Sequence, residues 1–558
     1  METSHSAHDV VVLGGGLAGL TLALQLRQRE PGIDILVLER KTLPLPEATH
    51  KVGESTVEIG AHYFSEVLGL KEHLQTRQLR KFGFRFFFSE NRRDLEQVTE
   101  IGASRHLTVP SYQIDRGIFE NFLAAEATAR GIRFEQGATV RQIDLTEDTA
   151  GEQAPHRIAY SQGAQDRTAE ARWVIDACGR AGQIKRKQQL AEPNDHACHA
   201  VWFRVKGHIT IDRWSDCTAW QQRCDPQARW LSTNHLVGAG YWVWLIPLSS
   251  GSHSVGIVAD PALHPLEQMD SFDKAMQWLQ SHQPLLFDAL NDRRDTLQDF
   301  AFFKRFSYGC KQVFSEHRWA LTGEAGLFID PFYSPGSDFI AISNTYITEL
   351  IAIDRQGGRL RAKAAAFDQI YHSLYENTLS LYQDQYSLFG DPEVLPVKVI
   401  WDYTYYWGVM AQLFFHNRLT DLSCLAALRS ELAHCQELNR SMQAFFRTWS
   451  AVSQKRNRAQ MLDQAQMPWF KELNRSLTDT LDTEAFVQRI QDSHAQLTRL
   501  AAEIVKSAQG DHPSLPDIEL APLRRASETT RLAAALSATG TAPDQRMLPD
   551  TAVMATTA

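Results

Sequence analysis

The chain has 558 residues, a length that predicts roughly two or three packed units rather than one simple core. Its 43% apolar content, 22% charged content and formal net charge of -9 are typical of a globular protein, and nothing in them favours nucleic-acid binding. The seven cysteines are dispersed, which predicts a cytoplasmic chain without a disulfide framework. The polar N-terminus does not resemble a signal peptide. Four glycines interrupt the apolar run at 10–24, so we expect no transmembrane span there.

The first predicted elements are a strand, a glycine turn, a helix and a second strand. A β-branched run at 10–13 precedes GGGLAGL, residues with helical spacing follow, and DILVLER is typical of a strand. This order begins a Rossmann-type unit. Residues 116–129 then predict a helix that ends near Gly131, and ARWVIDACGR predicts another strand of the same domain.

The pattern changes along the rest of the chain. Alternating strands with many aromatic residues from His199 to Asp260 predict a separate antiparallel sheet. The α/β fold we predict has a dinucleotide-binding domain at 8–195, a β-sheet substrate domain at 196–315, a return segment of the first domain at 316–355, a helical C-terminal region at 356–507 and a disordered tail at 508–558.

Gly14, Gly16 and Gly19 form G-x-G-x-x-G directly between the predicted strand and helix. The first glycine permits a tight turn, the second lets the backbone approach a pyrophosphate, and the third lets the helix pack close to the strand. Glu39, 20 residues after Gly19, can accept hydrogen bonds from a ribose diol, and Arg40 follows it. The alternative, a glycine-rich turn without a ligand, does not explain this spacing.

The later segments resemble those of the large FAD-binding family of aromatic hydroxylases. That family places a Gly-Asp pair at the flavin ribityl chain, a position held here by Gly323 and Glu324, and its Gln-x-x-Arg pattern corresponds to Gln113 and Arg116. The resemblance implies that FAD is the cofactor. The sequence has no second dinucleotide motif, so we expect reduced flavin to come from a separate flavin reductase.

YWVWLIP carries two tryptophans on one predicted strand. Trp242, Trp244 and Ile246 are expected on one face of it, with Val243 and Leu245 on the other. Between a flavin and an organic substrate, the tryptophan face would be a wall that blocks direct hydroxylation and admits only a small nucleophile such as halide. The alternative is a core strand that is merely rich in tryptophan.

Three segments together resemble the flavin-dependent halogenases. The strand matches W-x-W-x-I-P, VGESTV places Ser55 and Thr56 beside the flavin, and LRKFGFRFFF places Lys81 where that family keeps its catalytic lysine. The resemblance covers roughly residues 8–350. It implies an enzyme that uses FADH2, O2 and halide to halogenate an electron-rich aromatic, pyrrole or polyene-type substrate, free or carrier-bound, in specialised metabolism.

The chemistry of a lysine also supports a role for Lys81 independently of the family resemblance. A confined ammonium can hold hypohalous acid by hydrogen bonding, and a neutral amine can form a haloamine, because the pKa of a lysine responds to burial. On a strand, Lys81 would share a face with Gly83 and Arg85. The alternative is a surface lysine beside Arg80.

The sequence departs from the halogenase pattern at two acidic residues. Glu58 occupies a position where the family has proline, and the flavin-facing loop YSPGSDFIA contains Gly336 and Asp338. A carboxylate ~4 Å from halide would cost roughly 4 kcal/mol at an effective dielectric of about 20. This keeps open a non-halogenating flavin monooxygenase or dehydrogenase, and a non-catalytic flavoprotein-like subunit is the third reading.

Two further segments are ambiguous. His196, Cys198 and His199 form H-x-C-H without a matching ligand pair, so we predict no metal site there. WDYTYYWGVMAQLFF, which begins at Trp401, is typical either of a helix core or of the lining of a pocket for a flat or long apolar substrate.

Overall fold

The computed structural model describes residues 4–47, 49, 51–147 and 154–518. The predicted tail from residue 519 onward lies outside the described residues, whereas residues 508–511 of that tail continue the last helix. Within the described chain, each helix is too short or too polar to cross a membrane. The seven cysteines are free thiols.

The described residues contain nineteen strands: β1 (Ser4–Leu13), β2 (Ile35–Glu39), β3 (Leu79–Arg80), β4 (Phe84–Phe87), β5 (Glu100–Gly102), β6 (Tyr112–Gln113), β7 (Arg133–Gln136), β8 (Ala138–Asp144), β9 (His156–Gln162), β10 (Gln165–Asp176), β11 (Ala191–Glu192), β12 (His199–Lys206), β13 (Thr233–Gly238), β14 (Tyr241–Pro247), β15 (Ser252–Ala259), β16 (Leu297–Phe303), β17 (Gly309–Cys310), β18 (Trp319–Leu321) and β19 (Met461–Asp463).

The α-helices of the described chain are α1 (Leu17–Arg29), α2 (Glu58–His62), α3 (Lys71–Arg77), α4 (Arg116–Ala129), α5 (Gln183–Lys187), α6 (Thr218–Gln221), α7 (Phe272–His282), α8 (Pro284–Asn291), α9 (Gly336–Arg355), α10 (Arg361–Leu379), α11 (Val394–Tyr405), α12 (Ala411–Phe415), α13 (Leu422–Ala427), α14 (Arg429–Val452), α15 (Pro468–Arg475) and α16 (Thr483–Asp511). Two single-turn π-helices, Tyr63–Val67 and Tyr406–Met410, interrupt this set.

The first sheet has the strand order β7-β2-β1-β10-β9-β8, and β18 also pairs with β10. Its centre is parallel: β1 pairs with β2 on one side and with β10 on the other. Residues 10–13 of β1 and 35–38 of β2 are fully buried, and both stretches are continuous apolar runs in the sequence. The Rossmann-type fold class predicted from the sequence is confirmed.

The second sheet has the order β16-β12-β15-β14-β13-β4-β5-β19. Its centre is antiparallel, as the alternating pattern predicts. Two of its pairings are parallel, β13 with β4 and β5 with β19, so the sheet is mixed. These pairs join segments far apart in the chain, which no short hairpin forces to run antiparallel.

The C-terminal region, α10 to α16, packs against α9 and α2 and joins the edge of the second sheet at β5. Its residues 461–463 form β19, an edge strand that the helical reading of 356–507 did not include. The π-helix Tyr406–Met410 lies between α11 and α12 in one continuous helical run. A π-turn inside an α-helix is rare and is often found at a functional site.

A buried ionic cluster fixes the end of the second sheet. Glu100 on β5 accepts hydrogen bonds from Arg85 on β4 and from Arg229, whose Nε lies 2.9 Å from Glu100 Oε1. All three side chains are fully buried. A buried charge that loses its partner is strongly destabilising.

Replacing Glu100 by Ala is expected to lower the free energy of unfolding by about 3–5 kcal/mol, because the buried Arg85 loses its carboxylate partner and Arg229 keeps only Asp212, at 3.7 Å. Urea unfolding followed by tryptophan fluorescence measures this loss. The control Glu66→Ala breaks an exposed ion pair with Lys71 and is expected to cost less than about 1 kcal/mol. Equal losses in the two variants would contradict this account of the cluster.

Candidate active site

A cavity of about 570 Å³ lies where the two sheets meet. It is lined by turns of the first sheet, by one face of β14 and by the start of α9. Eight of the cofactor contacts that the sequence predicts line this cavity: Gly14, Gly16, Glu39, Arg40, Ser55, Arg116, Glu324 and Gly336. Lys51, which sequence reasoning missed, lines it as well.

The glycine turn has the geometry that its pattern predicts. Gly14 has φ of +103°, and a Cβ built there would lie 2.5 Å from the carbonyl oxygen of Ala177. A Cβ on Gly19 would lie 2.0 Å from the carbonyl oxygen of Gly14, so this residue packs α1 against the turn instead of lining the cavity. Gly16 has only Lys51 Nζ near its missing Cβ, at 4.0 Å, and leaves open space at the N-terminus of α1. That space suits a pyrophosphate.

Glu39 and Arg116 both line the cavity that contains the glycine turn. The carboxylate of Glu39 accepts hydrogen bonds from the backbone N–H groups of Gly15 at 2.7 Å and Lys41 at 2.8 Å, and it keeps lone pairs free for a ribose diol. Arg116 donates from Nη1 to the carbonyl oxygen of Val52 at 2.7 Å. The open glycine turn, the carboxylate of Glu39 and the cations of Arg116 and Lys51 fit FAD.

Glu324, Ser55 and Thr56 are the other predicted cofactor contacts, and each has a different hydrogen-bond or ion-pair partner. Glu324, on a short 3-10 turn, pairs with Arg180 at 3.1 Å. Ser55 Oγ lies 2.9 Å from Thr233 Oγ1. Thr56 is not among the residues lining either cavity described here, because its hydroxyl donates to the carbonyl oxygen of Tyr112 at 3.1 Å and accepts from the N–H of that residue.

Strand β14 presents its tryptophans to the cavity. Trp242, Trp244 and Ile246 line it, whereas Val243 and Leu245 pack into a second apolar core on the other face. Gly256 on β15 makes room for this arrangement, since a Cβ there would lie 2.1 Å from the Trp244 ring. The wall expected from the alternation of the strand therefore stands inside the cavity.

A hydrogen-bond chain that sequence reasoning missed holds Trp242. Its Nε1 donates to Tyr386 Oη at 3.0 Å, and Tyr386 donates to Asp330 Oδ2 at 2.5 Å. His196 Nε2 lies 2.7 Å from the same oxygen. The only local signals were the H-x-C-H stretch and the Asp-Pro of the return segment, because Tyr386 comes from the helical region.

Cys198 joins His196 and Asp330, so three possible metal ligands have atoms within 4.8 Å of one another. Asp330 is already engaged, since its second oxygen accepts from the N–H of Phe332 at 2.9 Å. The cluster is therefore satisfied as a hydrogen-bond network without an ion.

Lys81 is buried, with 3% of its surface exposed, so the reading of a surface lysine is wrong. It also lies outside the strands: β3 ends at Arg80, Gly83 has φ of +75°, and β4 begins at Phe84. The bend turns the amine inward, where Nζ donates to Ser55 Oγ at 2.9 Å and to the carbonyl oxygen of Thr56 at 3.0 Å. Nζ also lies 3.3 Å from the centroid of the Phe84 ring.

Burial lowers the pKa of Lys81 to about 7, and the nearby acids Glu58 and Asp338 only partly oppose this. The described hydrogen-bond partners of the amine are neutral oxygens, which stabilise a positive charge less than a carboxylate would. Near neutral pH both the ammonium and the free amine are therefore populated.

A second, smaller cavity of about 50 Å³ is lined by Phe84, which Lys81 contacts, although Lys81 itself is not among the residues that line either cavity. Six of its fourteen lining residues are aromatic, and most of the lining comes from the C-terminal helical region: Val57, Phe84, Tyr333, Pro335, Asp338, Asn377, Thr378, Leu381, Tyr382, Asp402, Tyr403, Tyr405, Tyr406 and Met410. Pro335 lines both cavities. Lys81 contacts Ser55 of the larger cavity and Phe84 of the smaller one, so its amine lies in the wall between them.

The structure resolves the position of Asp338. Its carboxylate is fully buried, accepts from the N–H of Gly60 at 2.8 Å and from the hydroxyl of Tyr406 at 2.7 Å, and lines the smaller cavity rather than the larger one. Asp338 therefore does not place a carboxylate at the flavin face, where the sequence analysis expected that it could repel halide.

Comparisons with known proteins agree with this geometry. Residues 7–249 match the family model described as an FAD binding domain. The chain is 26% identical to the flavin-dependent halogenase chlA of Dictyostelium discoideum, over 77% of this chain and 76% of that protein. It is 25% identical to the 1H-pyrrole-2-carbonyl-(peptidyl-carrier protein) chlorinase of Pseudomonas fluorescens, over 59% of this chain and 72% of that protein.

Among solved structures, the halogenase PltM in complex with phloroglucinol and FAD superimposes with a TM-score of 0.63. The two chains are 18% identical, and the match covers 92% of this chain and 98% of PltM. The shared fold therefore extends into the C-terminal helical region.

Replacing Gly16 by Val is expected to weaken FAD binding at least about tenfold with the fold intact, because the side chain would project into the open space at the N-terminus of α1. Titration of the apoprotein with FAD, followed by flavin fluorescence, gives the dissociation constant. The control is Gly32→Val, at a position with open space around its missing Cβ. Unchanged affinity in the Gly16 variant would contradict the proposed position of the pyrophosphate.

Proposed function

We propose that this chain is a flavin-dependent halogenase, an FAD-dependent oxidoreductase like the relatives it resembles, and that it transfers halogen from the cavity of the flavin to an electron-rich aromatic ring by way of Lys81. The observation that carries the proposal is the position of the Lys81 amine, buried in the wall between a cavity that fits FAD and a small aromatic cavity. Reduced FAD, when bound, supplies hypohalous acid from oxygen and halide.

The tryptophan wall keeps the two reactants apart. Trp242 and Trp244 line the cavity that fits FAD, where their rings would block an aromatic substrate from the flavin, and Tyr386 and Asp330 hold Trp242 in place. A small oxidised halogen species can pass this wall, whereas an aromatic substrate cannot. The geometry thus favours halogenation over direct hydroxylation.

Lys81 then holds and presents the halogen. Ser55 and the carbonyl oxygen of Thr56 fix the amine, and Phe84 lies under it. With a pKa near 7, the ammonium can donate a hydrogen bond to hypohalous acid and the free amine can accept halogen from it. Both routes deliver the halogen to the side of Phe84.

The proposed substrate is a small, electron-rich aromatic compound such as a phenol. Stacking on Phe84 and the tyrosines of the smaller cavity would position its ring. A dry cavity of about 150 Å³ is needed to hold benzene, so these side chains must move apart when substrate enters. The phenol in the PltM complex supports this substrate class.

A pyrrole acyl group on a carrier protein is the second candidate. It is supported by the Pseudomonas fluorescens relative, whose name specifies that substrate. A separate flavin reductase is also proposed as a partner, because the sequence carries a single G-x-G-x-x-G.

The test is a product mass spectrum. The protein would be incubated with FAD, a generic flavin reductase, NADH, oxygen and bromide, with phenols, indoles, pyrroles and carrier-loaded pyrrole acyl groups offered in turn. We expect a bromine isotope doublet, and a loss of roughly 10²–10⁴-fold in its rate of formation for Lys81→Met with FAD still bound.

The matched control is Arg80→Ala, which removes the neighbouring exposed cation and is expected to keep the rate within about threefold of the unaltered enzyme. Bromination by Lys81→Met at the original rate would contradict the role of Lys81. Oxygenated products without bromine would contradict halogenation itself.

A further inference from the structure

The lining of the smaller cavity includes a buried hydroxyl group whose proton has no acceptor. Tyr382 lines that cavity and is fully buried, and its Oη finds no hydrogen-bond acceptor within the described chain. The backbone N–H of Tyr333 approaches this oxygen, but an N–H group is itself a donor. Buried polar groups in native proteins are nearly always paired, so this hydroxyl calls for an explanation.

The carboxylates that could accept this proton are engaged with other donors. Asp402 accepts a hydrogen bond from the hydroxyl of Tyr333 at 2.8 Å, and Asp338 accepts one from the hydroxyl of Tyr406 at 2.7 Å. Both acids line the cavity and interact electrostatically with Tyr382, yet neither is hydrogen-bonded to it. The Tyr382 hydroxyl therefore lies near the acids of the cavity with its donor unused.

The surroundings of Tyr382 keep it in place as a neutral donor. The residue follows the C-terminus of α10, where its N–H donates to the carbonyl oxygen of Leu379 at 3.0 Å. Its ring packs against the ring of Tyr333, with 5.9 Å between the two centroids. Burial, together with the nearby acids, raises the pKa of Tyr382 well above its usual value, so the hydroxyl keeps its proton at neutral pH.

We propose that Tyr382 recognises the substrate by donating a hydrogen bond to an oxygen substituent of its aromatic ring, so that the site selects phenols over rings without an acceptor. This rests on the proposed function. The side chains around the cavity move apart when a ring enters, and the oxygen of a phenol then supplies the acceptor that the protein lacks. A buried donor that one ligand pairs and another leaves unpaired discriminates strongly between the two.

The experiment compares two ligands of nearly equal size, 4-fluorophenol and 4-fluorotoluene, which differ only in a hydroxyl and a methyl group. Each is titrated into the FAD-bound protein, and fluorine NMR gives its dissociation constant. For Tyr382→Phe we expect the dissociation constant of 4-fluorophenol to rise about five- to tenfold, because one hydrogen bond is lost. We expect that of 4-fluorotoluene to stay within about twofold, because this ligand has no acceptor for the hydroxyl.

The matched control is Tyr346→Phe. Tyr346 is also fully buried and its hydroxyl also lacks a hydrogen-bond partner within the described chain, but it lines neither cavity. Each variant removes an unpaired buried hydroxyl and keeps the ring, so neither is expected to lower the Tm of the protein without ligand. Tyr346→Phe is expected to leave both dissociation constants within about twofold of those of the unaltered protein.

Failure of the unaltered protein to bind 4-fluorophenol, unchanged affinity for it in Tyr382→Phe, or an equal loss for both ligands overturns the proposal. A lower Tm in Tyr382→Phe alone also overturns it, because the hydroxyl would then have a partner inside the protein. The titrations involve no halogen transfer. Absence of brominated product in the product screen would instead overturn the proposed function.

Discussion

The site depends on the burial of one lysine amine among neutral hydrogen-bond partners. Removing water from Lys81 lowers the pKa of its ammonium, and Ser55 and Thr56 do not restore the charge as a carboxylate contact would. The bend at Gly83 is what turns this amine inward between β3 and β4. The amine thereby contacts Ser55 of the larger cavity and Phe84 of the smaller one, which is the position that the proposed function requires.

The second constraint, under the proposed function, is the separation of reactants. Trp242 and Trp244 line the larger cavity, and their strand is buried on both faces. The indole N–H of Trp242 is held by a chain that begins in the C-terminal region, at Tyr386. The helical region thus makes hydrogen bonds both to Trp242 and to the two acids near Lys81, Glu58 and Asp338.

Local patterns predicted the parts that depend on local physics. The glycine turn at 14–19, the helix at 116–129 and the alternation along β14 each follow from spacing and backbone geometry, and the structure has all three. The parts that escaped prediction depend on contacts between distant segments. The direction in which Asp338 points, the parallel pairing of β4 with β13 and the Trp242–Tyr386 hydrogen bond are set by tertiary packing, which a single sequence does not display.

The most direct measurement is the titration of Lys81 itself, by NMR of the protein with carbon-13 at the lysine Cε positions. The resonance that disappears in Lys81→Met identifies the residue. The account predicts a titration midpoint near 7, where burial places this pKa. A midpoint near the usual lysine value of about 10.4 would contradict it, because the amine would then be an ordinary solvated ammonium and not the buried, exchangeable group on which halogen transfer depends.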